Sequence, residues 1–106
     1  MEISENSLNG GHILANALVR QGVNIAFGVP GESFLPLLNG LVDHPHFQFI
    51  TCRQEGGAAY MAEAYGKLTG RPGVLMVTRG PGASNAMVGV HTAYQDSTPM
   101  VLLVGQ

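Results

Sequence analysis

The chain is poor in charge and nearly free of cysteine. Only 11% of its 106 residues are Asp, Glu, Lys or Arg, against ~25% in ordinary soluble domains. The single Cys52 excludes an internal disulfide and fits a cytoplasmic setting. A formal charge of −2 leaves no basic footprint for nucleic acid, and no run of like charge suggests a membrane-surface patch. Apolar runs stop at strand length, so no transmembrane helix is expected. The opening residues, MEISENSLNG, are polar and acidic, unlike a signal peptide. Internal repeats, low-complexity segments and linkers are also lacking. What the chain has is a 45% hydrophobic share and 15 glycines, at a length that allows one domain with a modest core. Such a balance fits a parallel sheet buried on both faces, or a surface normally covered by something else.

Helical and strand patterns alternate along the chain. Ser7 or Asn9 is placed to cap a first helix carrying Ile13, Leu14, Ala17 and Leu18, and Gly22 to end it. A short strand follows over 23–29. Ser33 is placed to cap a second helix carrying Phe34, Leu37, Leu38 and Leu41, broken at Asp43-His44-Pro45-His46. A second strand is predicted over 47–52 and a third helix from about Gln54 to Thr69, stopped by Gly70 and Pro72. The third strand covers 73–78. Ser84 is placed to cap a fourth helix reaching about Tyr94, and the fourth strand covers 100–105. This order predicts an α/β fold, a parallel sheet of about four strands with helices on both faces. No helix follows the last strand and nothing caps that edge, so the domain reads as incomplete at its C-terminal end, or as completed by a partner.

Ligands of open α/β sheets sit beyond the carboxyl ends of the strands. The Gly/Pro turns of this chain gather there. Glu55 opens the third helix before Gly56, Gly57, Ala58 and Ala59. A first-turn acid is favoured by the helix dipole, and position alone needs no more than that. A second reading uses its neighbours: glycine and alanine neither solvate nor pair a carboxylate, and a carboxyl buried among them holds a proton more readily, which suits acid–base work. Arg53, two residues away, would oppose this.

Arg79-Gly80-Pro81-Gly82-Ala83-Ser84-Asn85 is a turn whose backbone can approach a ligand closely, or an ordinary strand-to-helix connection. It is not a dinucleotide fingerprint, because its spacing ends on Asn85, and Ala64–Leu68 is not a phosphate loop. Glu32 reads as an exposed first-turn acid. The stripe Glu55, Ala58, Ala59, Ala62 and Gly66 reads as tight packing on the chain's own sheet, with an intersubunit helix pair as the alternative. His44-Pro45-His46 lacks a matching ligand cluster, so no metal site is expected. Cys52 has no histidine in its own loop to activate it.

Taken together, FGVPGESFLPLL, CRQEGGAAYMAEAYGKLTGRPGV and VTRGPGASNAMVGVHTAYQDSTPMVLLVGQ resemble the N-terminal pyrimidine-binding domain of thiamine-diphosphate enzymes, in the acetolactate-synthase-like group, over about residues 8–106. The resemblance implies that Glu55 hydrogen-bonds a ring nitrogen of the cofactor's aminopyrimidine. That bond favours the imino tautomer, which removes the thiazolium C2 proton and prepares the cofactor to attack a small 2-oxo acid. It further implies that Pro30, Gly31, Thr78, Pro81, Gly82 and Asn85 line the aminopyrimidine, and that Gln106 lies near the reaction centre. Magnesium is expected only through a diphosphate-binding domain, absent from 1–106 as is the central domain that can hold FAD. FAD is therefore not supported. Gln54 stands where many members carry His, and Pro30-Gly31-Glu32-Ser33 replaces a Pro-Gly-Gly.

The implied function is thiamine diphosphate binding through half an active site, completed by a homo-oligomer or by a diphosphate-domain chain. The alternatives are a non-catalytic fragment or assembly partner of a longer relative, and a small flavodoxin-like module with an anion site at the Arg79–Ser84 turn.

Overall fold

The computed structural model describes residues 9–106. Its elements are α1 (Gly10–Arg20), β1 (Ile25–Gly28), a 3-10 turn (Glu32–Phe34), α2 (Leu35–Val42), β2 (Gln48–Thr51), α3 (Glu55–Thr69), β3 (Gly73–Thr78), α4 (Pro81–Asp96) and β4 (Met100–Gly105). The strands form one parallel sheet in the order β2-β1-β3-β4. The path runs one way from β1 to β2, then back past β1 to β3 and on to β4. With crossovers of constant hand, that reversal puts α2 on one face and α3 and α4 on the other.

Residues of β3 divide the core. Val74 and Met76 pack with Ala15 and Leu18 of α1 and with Leu37 and Leu41 of α2. Leu75 and Val77 pack with Ala58, Ala59 and Ala62 of α3, Phe27 and Ala86. Alternate residues of a strand face opposite ways, so a continuous apolar run is what a strand covered on both faces requires. The alanines of α3 thus serve the chain's own sheet. Gly89 draws α4 close to α3: a β-carbon there would overlap the Ala59 β-carbon. Gly57 faces open space. Gly57→Ala should therefore raise stability by ~0.4–1 kcal/mol, while Gly89→Ala should lower it by about 1–3 kcal/mol through overpacking. Urea denaturation of both variants checks the contrast.

Two expected caps are corrected. Ser33 does not cap α2: Phe34 holds that position without a side-chain bond, and Ser33 Oγ is buried with no partner. Ser84 does not cap α4. The helix already starts at Pro81, with Gly80 before it at φ 66°. Proline presets the first helical φ and lacks the N–H a cap would satisfy, and glycine accepts the left-handed φ before it. Elsewhere Asn9 Oδ1 accepts from His12 N at 3.0 Å, so Asn9 caps α1, while Ser7 lies outside the described residues. Gln54 Oε1 accepts from Gly57 N at 3.1 Å and caps α3.

An acidic side chain also lies deep in the fold. Glu63 is 6% exposed. It accepts a bond from Thr98 Oγ1 at 2.7 Å and pairs with Lys67 Nζ at 3.0 Å, and Lys67 also pairs with Asp96 of α4. Hydrogen bonds to Asp96 and then Glu63 raise the Lys67 pKa above its ordinary value. A pKa raised by folding gives stability that is complete below the unfolded value and lost as pH climbs through the folded one. The stability gap between wild type and Lys67→Met should therefore close once pH passes the lysine range, as urea melts from neutral to strongly alkaline pH would record.

Candidate functional site

The sheet reverses its direction of travel between β1 and β3, and the loops leaving those strands diverge to opposite faces. Crevices of this kind are where open α/β sheets bind ligands. Here the crevice is built around Thr78, the last residue of β3. A β-carbon at Gly31 would overlap Thr78 Cγ2, and one at Gly82 would overlap Thr78 Oγ1 and come within 3.5 Å of Glu55 Oε2. Gly31, Thr78, Gly82 and Glu55 therefore form one contiguous group drawn from three strand-end loops. Asn85 reaches the same region through its backbone, since a β-carbon at Gly56 would meet the Asn85 carbonyl oxygen at 3.4 Å.

Glu55 is the first residue of α3. It is half-buried, not enclosed. The first turn of α4 covers one side through Gly82, and within this chain the carboxylate keeps access to solvent. Among the described residues it makes no ion pair with Arg53, which is exposed. The carboxylate is left available to a ligand. A fully dry pocket is thus not formed by this chain alone.

Pro30 and Pro81 are exposed at the rims of their loops. A cavity of about 240 Å³ beside the group is lined by Glu32, Ser33, Thr78 and Arg79. Gln106 lies at the next strand end, where its backbone oxygen accepts from Arg79 Nη1 at 3.2 Å. Gln106 also lines a larger cavity with Ser33 and Gly105, one strand removed from Glu55.

The other candidates have structural partners. Cys52 Sγ contacts Met61 Sδ at 3.6 Å and the Ile50 carbonyl at 3.5 Å. His44 Nε2 bonds Asn16 Oδ1 at 2.8 Å. Among the described residues no group of three or more His, Cys, Asp and Glu could hold a metal ion. No helix there is long and apolar enough to cross a membrane. The resemblance already names Thr78, but no local signal gives its central place against both Gly31 and Gly82. Sequence reasoning missed the buried acid Glu63, for which the available signal was its spacing to Lys67, a helical ion pair.

Comparison with known proteins identifies the family. The family described as "Thiamine pyrophosphate enzyme, N-terminal TPP binding domain" matches residues 8–106. The mitochondrial acetolactate synthase catalytic subunit of Aspergillus candidus is 45% identical over 97 residues, covering 92% of this chain and 14% of that protein. Its Saccharomyces cerevisiae counterpart is 40% identical over 106 residues, 100% of this chain and 15% of that protein. The acetolactate synthase of Bacillus subtilis is 44% identical over 96 residues, 91% of this chain and 17% of that protein. The chain thus spans only about a sixth of the length of such relatives. Four parallel strands, a carboxylate at the switch point and a family match over almost every residue lead to one statement: the chain belongs to the thiamine pyrophosphate enzymes, as their N-terminal TPP binding domain.

Proposed function

We propose that this chain supplies the aminopyrimidine side of a thiamine diphosphate site, with Glu55 as its acid. The observation that carries the reading is the convergence of Glu55 Oε2, Gly82, Thr78 and Gly31 at the switch point. The two glycines let their loops close directly onto the Thr78 side chain, which fills the space their β-carbons would take, and so bring the backbone of both loops and Glu55 Oε2 to one point. Pro30 and Gly31, Thr78, and Pro81, Gly82 and Asn85 would line the aminopyrimidine ring. The fit extends to chemistry, because an aminopyrimidine offers a weakly basic ring nitrogen and the unpaired Glu55 carboxyl can share a proton with it.

When bound, thiamine diphosphate supplies the carbon nucleophile and the electron sink for 2-oxo acids. The chain's part is to position and to move a proton. Glu55 holds the proton shared with the ring, fixed in direction by its place on the rigid first turn of α3. Gln54, occupied in capping that helix, holds the turn in place. Closing the half-open side of Glu55 requires a second surface, and its exclusion of water would strengthen the shared bond.

The activity proposed for the completed site is decarboxylation and carboligation of a small 2-oxo acid, as the resemblance to the acetolactate-synthase-like group implies; the relatives are acetolactate synthases by name. Magnesium and the diphosphate would be held by a diphosphate-binding domain, in a homo-oligomer or on a separate chain. A cytoplasmic location goes with this reading and rests on the single cysteine. Calorimetric titration with thiamine diphosphate and Mg²⁺, with and without a diphosphate-domain polypeptide, tests it. Binding that tightens with the partner supports the half-site, and turnover separates a catalytic half from a non-catalytic assembly partner. No binding in either case overturns the reading.

A further inference from the structure

The cavity of about 240 Å³ beside the strand-end group shares a wall with it through Thr78. Its other lining residues are Glu32, Ser33 and Arg79. Glu32 and Ser33 come from the loop after β1, while Thr78 and Arg79 come from the end of β3. No purely apolar side chain lines it. A carboxylate, a guanidinium and two hydroxyls do. Glu32 also stands where the sequence departs from a Pro-Gly-Gly turn.

These polar groups keep capacity for a ligand. Among the described residues neither Glu32 nor Arg79 joins an ion pair. Arg79 Nη1 donates to the Gln106 backbone oxygen at 3.2 Å, which anchors the side chain and leaves its other N–H groups. Ser33 Oγ is buried with no partner. An alkyl group placed here would leave every one of them unpaired, at about 1–3 kcal/mol for each that loses water. A carboxylate would meet Arg79 but face Glu32, and an ammonium would meet Glu32 but face Arg79. A hydroxyl suits both, because it donates to a carboxylate and accepts from a guanidinium.

We propose that this cavity is the specificity pocket of the site, and that it takes a hydroxyl group of the substrate between Glu32 and Arg79. The preferred substrate class is then a small hydroxylated 2-oxo acid, not an alkyl one. The inference rests on the cofactor reading above and deepens it. Glu32 and Arg79 are exposed within this chain, so the selection shows once a second surface closes the site and hydrogen bonds there gain weight.

Hydroxypyruvate and 2-oxobutanoate test the proposal, since they differ by a hydroxyl in place of a methyl at matched size. In the site reconstituted from the full chain, a diphosphate-domain polypeptide, thiamine diphosphate and Mg²⁺, kcat/KM should favour hydroxypyruvate by roughly 10–100-fold, the weight of a hydrogen bond to a charged group. Glu32→Gly and Arg79→Met should each bring the ratio of the two substrates toward one. Calorimetric affinity for thiamine diphosphate, measured on the same variants, separates a lost pocket from a lost fold. A second measurement needs no turnover. Glycerate and 2-hydroxybutanoate carry the same hydroxyl-for-methyl exchange without a reactive carbonyl. Glycerate should shift the amides of Ser33, Thr78 and Arg79 in the cofactor-loaded assembly at concentrations about 10-fold lower or less. Equal response to the two members of either pair overturns the proposal, as does a preference that both variants leave intact. Pocket amides that answer neither analogue, while Glu55 and Gly82 answer the cofactor, overturn it and leave the cofactor reading standing. Amides that answer neither analogue nor cofactor overturn both.

Discussion

Glu55→Gln should lower the turnover of a reconstituted site by roughly 10²–10⁴-fold, the usual weight of a positioned acid–base group. The substitution keeps side-chain length and removes the exchangeable carboxyl proton. It also separates the two roles open to a first-turn acid. A carboxylate that only complements the helix dipole is worth ~0.3–1 kcal/mol, and its loss would show as a small change in stability with turnover untouched. The catalytic role predicts the converse, a large loss of turnover with a nearly unchanged urea midpoint. Steady-state rates and denaturation midpoints of the same two proteins decide between them. Turnover unaffected by the change would remove Glu55 from the mechanism.

Leu75→Ala should cost about 2–5 kcal/mol, the range for deleting a buried leucine side chain. Leu75 is 0% exposed at the centre of β3 and packs in the cluster with Phe27, Ala58, Ala59 and Ala62. Its helix neighbours are alanines, whose single methyl groups cannot reorient to fill the space. The cavity therefore stays open, and the cost should fall in the upper part of that range. Since α3 rests on this residue and carries Glu55 at its start, cofactor affinity should fall along with stability. Urea denaturation measures the first effect and calorimetry the second.

The strands were legible because they are continuous apolar runs. The third and fourth fell where 73–78 and 100–105 predict. The first two came out shorter, Ile25–Gly28 and Gln48–Thr51, because ladder pairing between them covers only Ile25↔Gln48 to Gly28↔Thr51. Local serine signals failed where backbone geometry overrode them. Pro81 and Gly80 start α4 ahead of Ser84, and the 3-10 turn draws Ser33 inward. Glu55 at a helix start was readable from its neighbours. Its company was not: Thr78 meets Gly31 and Gly82 only once the sheet order brings their loops together. The half-buried state of Glu55 was also beyond local reading, because it depends on how far the first turn of α4 covers it. Glu63 is a similar case, since Thr98 reaches it only after α4 packs on α3.

The central claim is that an aminopyrimidine binds at the strand-end group around Thr78. Titrating isotope-labelled chain with thiamine diphosphate, alone and with a diphosphate-domain polypeptide, tests it by amide chemical shifts. The account predicts shifts concentrated at Gly31, Glu55, Thr78 and Gly82, with Gly57 and Leu68 on the outer face of α3 unmoved by the cofactor itself. Shifts confined to any other part of the fold, or none in either titration, would contradict it.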